Sequence, residues 1–486
     1  MTVGEKIQIK RNIIDRVIEA VSPVTAANRY AARVRIGHAR GLYDGASSGR
    51  RIRPGLKQTA APKNEAGSDV KALADRALGL VRNDGYAKRG RNVLQAYTTG
   101  TGIRGTIKNS QGVKDLELQK IWDKWCNSLQ CDTRRQNNFY GIQRQVWNSM
   151  VVTGESLIGR TVNREVTDDP LMVPLSLYVM ESSNLDKSKH NDRDIIYGVK
   201  FIDSRPTEYY ILPDPALAKG DWVKENEIIH IYDDERPGQV RGSSWFAPVI
   251  LNLQDLGDYR DSERVRRKVA ACFTAFLTST PETDFSDEEL NVFSKMEPGA
   301  IEVLSPGQEI RFSNPPESRD YDPYVRVETQ FIASGLGCTY EHLSQNLKDV
   351  NFSSAKIGQI PFRKTVEVWQ ELLLRPKFLD PVFEWFRDMA VMSGMAGFAE
   401  ATIEWTYPKF EMLDEAKETD ALTAKVRAGF MSQSEAVRSM GYDPEEVLLE
   451  WATDYEKLVS LGIRIDTIPE WFTKAGIEQS SQTPTT

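Results

Sequence analysis

Gly335-Leu-Gly-Cys-Thr-Tyr-Glu-His-Leu-Ser344, followed by Asn351-Phe-Ser-Ser-Ala355, is the stretch that decides the fold. An apolar helical run over residues 324–336 leads into it. A longer helical run over residues 356–389 leads out. The pattern is helix, loop, long helix, and neither flank carries a recognisable catalytic set.

The surrounding chain sets the frame for this element. Its 486 residues suffice for two to four domains. With 40% hydrophobic and 27% charged residues it has a soluble, globular composition. No stretch approaches the roughly 18 apolar residues of a membrane span. Residues 4–19 mix charges where a signal peptide needs an apolar core, so cytoplasmic residence is the default expectation. Cys126, Cys131, Cys272 and Cys338 form no C-x-x-C, and the chain has only four histidines. The expectation is reduced structural thiols and no zinc site.

Net charge is −7, unevenly spread. Residues 1–60 hold twelve Lys/Arg against four acids, and residues 401–486 hold sixteen acids against eight bases. Either end is a solvated surface, or opposite ends meet different partners. An acidic balance argues against tight wrapping of DNA, which needs clustered cations.

Along the chain, Ser22-Pro23 opens a basic helix over residues 26–39 carrying Arg29 and Arg33, and residues 45–62 form a loop or arm. Helices are expected over residues 68–81, 86–97, 116–126 and 134–152, with Trp122, Trp125 and Trp147 anchoring a core. Residues 154–232 read as a β-rich subdomain, with runs at 157–162, 175–180, 195–202, 208–212 and 228–232. Residues 242–248 open a helix reaching about 277, some 45 Å long at ~1.5 Å per residue. Its ends are apolar (Val249 and Leu253; Val269, Phe273 and Phe276), and its middle, residues 257–268, is almost wholly charged. Such a helix bridges domains or packs beside copies of itself. A short acidic helix (286–295) and a strand pair (300–304 with 309–312, joined by Ser305-Pro-Gly-Gln308) make a small exposed module. Pro361, Pro376 and Pro381 predict kinks or breaks in the later helix. Trp405-Thr-Tyr-Pro408 is a short strand or extended link. The remainder is helical, with Ser432 and Asp443 as N-caps and Gly429 and Gly441 as stops. The tail from residue 479 reads as disordered.

Gly100-Thr-Gly102-Ile-Arg-Gly105 matches G-x-G-x-x-G, but residues 106–112 make a poor helix, so a turn is favoured over a nucleotide site. No P-loop, H-E-x-x-H, G-x-S-x-G or EF-hand loop occurs. The N-terminal arginines lack the interleaved aromatics of a single-strand binder and can serve salt bridges instead. Lys348, Lys356, Arg363 and Lys364 make the charge locally positive beside the loop. They are either solvated surface or contacts for DNA phosphates.

The chain resembles the lambda-like family of phage portal proteins. The resemblance rests on the order and spacing of many short pieces. These are Ser22-Pro23 with the Arg-rich helix, Tyr43-Asp-Gly-Ala46, Leu80-Val-Arg-Asn83 with Tyr86-Ala87, and Gly100-Thr-Gly-Ile103. Further along come Gly154-Glu155, residues 230–232, Arg241-Gly-Ser-Ser-Trp245, residues 337–344 with Phe352-Ser-Ser354, and the acidic helical C-terminus. Phe352 stands where the pattern expects Tyr.

The resemblance implies a mainly helical α+β fold with wing, stem, clip and crown, ringed about a channel. The wing is then 1–241 and the stem helices 242–272 and 322–337, with the clip at 273–321. The tunnel loop is 338–354, the long helix behind it 355–400, the crown 401–476 and the tail 477–486. It implies a homo-oligomer, a dodecameric ring, at one capsid vertex of a virion, made in the host cytoplasm. Double-stranded DNA would pass through it, and an acidic conduit would let DNA slide without sticking. Terminase large subunit, major capsid protein or scaffold, and head–tail adaptors are the implied partners, with no cofactor, no membrane and no enzymatic activity. Asn346, Lys348, Asp349, Asn351, Phe352 and Lys356 would meet DNA. Asp287, Glu288, Glu289, Lys295 and Glu297 would dock terminase or adaptor. The competing class is another capsid-associated structural or DNA-binding protein without a channel.

Overall fold

Val70, Ala74, Ala77 and Val81 recur at three- and four-residue intervals, which places them on one helical face. That face is buried in α1 (Val70–Asn83). The computed structural model describes residues 63, 69–163, 169, 171–191, 193–216, 219–271, 275–279, 308–312, 321–348, 352–408, 410 and 414–463. The expectations for residues 1–60, the acidic helix at 286–295, the strand at 300–304 and the tail lie outside the described residues.

Asp84 interrupts the helical backbone for one residue and caps α2 (Gly85–Thr98), accepting the Ala87 N–H at 2.8 Å. The G-x-G-x-x-G stretch then turns, with Gly100 and Gly102 at positive φ, into β1 (Arg104–Lys108). A strand follows these glycines, where a dinucleotide site would need a helix.

Asp115 caps α3 (Leu116–Asn127), and Asn138 caps α4 (Phe139–Thr153). The expected start of α4 at residue 134 is corrected to 139. Asp132 accepts the backbone N–H groups of Arg134, Gln136 and Asn137, and Arg135 takes φ 52°, so this segment is a turn. Gly154, at φ 96°, stops α4.

The β-rich region holds two antiparallel sheets. One is three-stranded, with β2 (Glu155–Val162) between β3 (Leu175–Glu181) and β8 (Ile228–Tyr232). The other orders β4 (Ile195–Ile196), β5 (Val199–Ile202), β6 (Arg205–Ile211) and β7 (Asp221–Lys224). The run expected over 195–202 is split, because Tyr197 and Gly198 both take positive φ and make a hairpin turn. β7 had no sequence signal, being four residues with two charged ends.

α5 (Ile250–Ala271) is shorter than expected at both ends. Residues 275–279 form β9 (Ala275–Ser279), antiparallel to β10 (Gln308–Phe312). Phe276 therefore belongs to a strand and not to the helix. A ladder partner over 30 residues away overrides local helical promise there.

α6 (Tyr321–Gly335), α7 (Tyr340–Ser344) and α8 (Phe352–Val368) follow, then a π-helical stretch (Trp369–Leu379) and α9 (Asp380–Met392). The three prolines do not break this rod. Pro361 lies inside α8 and Pro381 in the first turn of α9, where no donor is required. Pro376 lies in the π stretch, where the Asp380 N–H reaches back five residues to the Arg375 carbonyl. The wider register accommodates a residue that cannot donate.

β11 (Thr402–Thr406) pairs with β1, Trp405 opposite Gly105. Three helices, α10 (Glu415–Arg427), α11 (Gln433–Ser439) and α12 (Pro444–Ser460), are capped by Asp414, Ser432 and Asp443. Gly429 and Gly441 stop α10 and α11 at positive φ, as their spacing predicts. Pro444 is the one buried residue within these three helices. They are tied to the body by Asp443, which meets Lys114 Nζ at 2.6 Å and Thr106 Oγ1 at 3.0 Å.

The main core runs from α1 through the long rod, with Trp122 at its aromatic centre. A smaller core, including Leu157, Leu185, Val199 and Ile211, fills the space beneath the four-stranded sheet. Cys126, Cys131 and Cys338 are free and buried. Among the described residues no cluster of three His, Cys, Asp or Glu could hold a metal, and no helix is long and apolar enough to cross a membrane. The architecture is α+β and mainly helical, as expected.

Candidate functional site

The deciding stretch folds as a chain of stops and caps. α6 ends in a Schellman motif: Cys338 N–H bonds the Ala333 carbonyl at 3.0 Å, and Gly337 N–H bonds Ser334 at 3.1 Å. Gly337 sits at φ 74°, and a Cβ on Gly335 would lie 2.3 Å from Val249 Cγ1. Thr339 then caps α7, accepting the His342 N–H at 3.3 Å. Gln345, left-handed at φ 56°, ends α7 after five residues.

The short helix is held against α2. Arg89 Nε donates to the His342 carbonyl at 3.0 Å. Leu343 is buried, and Gly90 leaves room for Leu336 and Leu343. The His342 ring lies 5.0 Å from Tyr97 and 4.8 Å from Phe362. Burial pulls the His342 pKa below the ordinary histidine value and pushes the Cys338 thiol up to about 12. Both groups are therefore uncharged packing elements at neutral pH.

From this fixed base, residues 345–348 stand exposed. Asn346 Oδ1 accepts the Lys348 N–H at 3.1 Å, an Asx turn that shapes the loop. Among the described residues the Lys348 ammonium has no ion-pair partner. Asp349 and Asn351 lie outside the described residues. Phe352 and Lys356 fall in the first turns of α8, so the expected loop over 338–354 is shorter: α7 takes its first part and α8 its last. Asp287, Glu288, Glu289, Lys295 and Glu297 all lie outside the described residues.

Behind the loop, α5 and α6 pack side by side. Tyr259 lies 5.9 Å from Tyr321 and 4.5 Å from Tyr324, ring to ring. Arg267 sits over the Tyr321 ring at 5.2 Å. The charged middle of α5 is internally paired, with Glu263 accepting from Arg266 at 2.8 Å and Arg267 at 3.0 Å.

A second constellation escaped the sequence reading as a unit. Gly154-Glu155, residues 230–232 and Arg241-Gly-Ser-Ser-Trp245 are far apart in the chain yet meet at one buried joint. The Glu155 carboxylate accepts Arg241 Nε at 2.8 and 3.0 Å and also bonds Arg241 Nη2. It further contacts His230 Nε2 at 2.9 Å and accepts the Gly242 N–H at 3.1 Å. Arg241 spends its other donors on the carbonyls of Ser182 and Tyr197, at 3.1 and 2.9 Å. Burial alone would raise the Glu155 pKa, but Arg241 and His230 overcome it and bring it down to about 2. A Cβ on Gly242 would lie 2.0 Å from the Gly154 carbonyl oxygen, so both glycines are required by close approach. Trp245 N–H then bonds Val151 at 3.1 Å, and Trp245 packs on Trp147 and Trp369. The joint fixes how the chain leaves the β region for α5. The signal available in sequence was three short pieces, two of them with a glycine beside a charged residue and the third His230-Ile-Tyr232, and nothing in their spacing says that they touch.

Several known proteins are similar to this chain. A probable portal protein of Halomonas phage phiHAP-1 is 23% identical over 431 residues, covering 81% of this chain and 82% of that one. Portal protein B of Escherichia phage lambda is 21% identical over 478 residues, covering 84% of this chain and 87% of that one. Among solved structures, a chain from the neck of a native gene transfer agent particle aligns with a TM-score of 0.48 and 13% identity, over 76% of this chain and 94% of that one. The sequence pattern described as "Phage portal protein, lambda family" matches residues 48–370, well over half of the 486. The chain therefore belongs to the lambda family of phage portal proteins, a family of structural proteins.

Proposed function

We propose that copies of this chain form a dodecameric ring with a central channel, at one capsid vertex of a tailed phage, through which double-stranded DNA is packaged and later ejected. The family match carries this reading. Exposed apolar side chains on the elements flanking the loop support it. Val327 and Phe331 lie four apart on α6, Ile357 and Ile360 three apart on α8, and Leu372 beyond them, all exposed. Phe331 is 62% and Leu372 68% exposed, values expected of surfaces that a neighbouring subunit covers.

In this proposal residues 1–241 form the wing, 242–272 and 322–337 the stem, and 273–321 the clip. Residues 338–354 carry the tunnel loop, 355–400 the long helix behind it, and 401–476 the crown. Asn346, Lys348, Asp349, Asn351, Phe352 and Lys356 face DNA. Asp287, Glu288, Glu289, Lys295 and Glu297 dock terminase or a head–tail adaptor. The ring acts mechanically and electrostatically: an acidic wall repels phosphates, and a few loop cations steady the duplex.

Negative-stain electron microscopy of the purified assembly, and of the vertex in assembled capsids, tests the ring. The expected result is particles with a central hole wide enough for a duplex. Solid particles in both samples would overturn it. Replacing Lys348 and Lys356 together by Ala should leave rings intact and lower packaged DNA roughly two- to fivefold, the scale of weak, screened contacts. Unchanged DNA per particle in the double variant would remove both lysines from the DNA path.

A further inference from the structure

One cleft is not accounted for by the ring reading. It lies between α1, α4 and the β region, with a volume of about 800 Å³. Leu78, Val81 and Val152 give it an apolar wall. A second cleft, of about 440 Å³, adjoins it through Arg91, Gln145 and Asn148, and there Arg91 on α2 and Arg144 on α4 stand beside the amides of Gln95, Asn137, Gln145 and Asn148. Among the described residues neither arginine has a carboxylate partner; Arg91 donates only to the Asn92 side chain, at 2.6 and 3.2 Å. Two guanidiniums are thus held together with no counter-charge. Arg91 shows the cost: burial first, and Arg144 second, lower its pKa. Asn148, which lines both clefts, has a buried Oδ1 without a hydrogen-bond partner. As an acceptor it calls for a donor, which a backbone N–H of an incoming segment can supply and a carboxylate cannot.

The chemistry that fits is a short segment bearing carboxylates beside apolar side chains. A forked guanidinium pair suits carboxylates, and the apolar wall suits an aromatic or aliphatic neighbour. A polyanion such as DNA fits poorly, because Glu181, Asp214 and Asp221 line the larger of the two adjoining clefts. The described chain ends at Ile463, and 464–486 follow. That remainder contains Ile465-Asp466-Thr-Ile-Pro-Glu470-Trp-Phe472, two carboxylates among four large apolar residues.

We propose that this C-terminal segment of the chain docks in the cleft, with Asp466 and Glu470 on Arg91 and Arg144 and its apolar residues against Leu78, Val81 and Val152. The inference does not depend on ring formation, and it takes residues 464–476 out of the crown and into the cleft. It holds whether the segment comes from the same copy or from a neighbour.

The test uses the full-length chain with p-benzoylphenylalanine in place of Trp471. After irradiation, cross-links should map to peptides containing Leu78, Val81 or Val152. Arg91→Glu with Arg144→Glu, which removes both pairs, should lower their yield at least about tenfold, with the circular dichroism spectrum unchanged. Adding Asp466→Arg and Glu470→Arg to that variant should restore the yield, which a merely misfolded cleft could not do. Cross-links that map elsewhere, or a yield indifferent to charge reversal, would overturn the proposal. So would a duplex oligonucleotide that binds through Arg91 and Arg144 in a chain whose tail cross-links elsewhere, since that would assign the cleft to nucleic acid.

Discussion

Replacing Arg241 with Met should destabilise the chain by about 3–5 kcal/mol, the scale for removing one partner of a buried ion pair. Glu155 is fully buried, and Arg241 provides most of what compensates its charge. Methionine fills much of the space but leaves the carboxylate with His230 and one backbone N–H. Urea denaturation followed by circular dichroism measures the loss, and a shift below about 1 kcal/mol would show that the joint contributes little. The double variant Glu155→Leu with Arg241→Met should cost less than the two single changes summed, because no charge is left stranded.

The same pair sets a pH dependence. Glu155 has a folded-state value of about 2 against an ordinary 4.5, so its folded pKa is depressed. The stability it contributes is present above about 4.5 and is lost as pH falls through about 2. In the Arg241→Met chain burial dominates instead, and the Glu155 pKa rises above its ordinary value. Acidification towards that ordinary value should then stabilise the variant through this group, while the parent chain gains nothing from Glu155. Parallel melting curves between pH 7 and pH 4 distinguish these slopes.

Trp122→Ala should cost a similar 3–5 kcal/mol by opening the main core. The indole ring lies 4.8 Å from Phe386, 5.6 Å from Phe383, 5.7 Å from Phe139 and 5.4 Å from Trp125, so the elements packed around it lose a shared neighbour. Trp122→Phe should be much milder, because the Trp122 Nε1–H has no hydrogen-bond partner to forfeit. Trp125→Phe should be harsher than Trp122→Phe. The Trp125 indole donates to the Leu175 carbonyl at 2.8 Å, and the ring change leaves that buried carbonyl short of a donor. Equal urea midpoints for the two Phe variants would contradict this ordering.

Much of the helical framework was legible in the sequence because its signals are local. The spacing of Val70, Ala77 and Val81, the caps Ser432 and Asp443, and the stops Gly429 and Gly441 each act within a turn or two. The errors arose where distant partners decide. Phe276 reads as the end of a helix until its strand meets residues 308–312. Pro376 reads as a break until neighbouring helices hold the rod together in a wider register. Asp132 makes a turn of what periodicity alone assigns to α4. At the loop, the stretch from Gly335 to Ala355 marked the right place, but the extent of α7 and α8 depends on anchorage to α2, from Arg89, Gly90 and Tyr97, some 250 residues earlier. The ion-pair joint was beyond sequence reading for the same reason: its three pieces are recognisable one by one, and only the fold makes them neighbours.

That joint also constrains how the chain can change over generations. Glu155, Arg241 and the glycines at 154 and 242 form a lock whose parts are encoded far apart. A substitution at one end strands a buried charge, so any path from this pairing to a different one passes through an unstable intermediate. At this junction a lineage must move two steps at once or stay where it is.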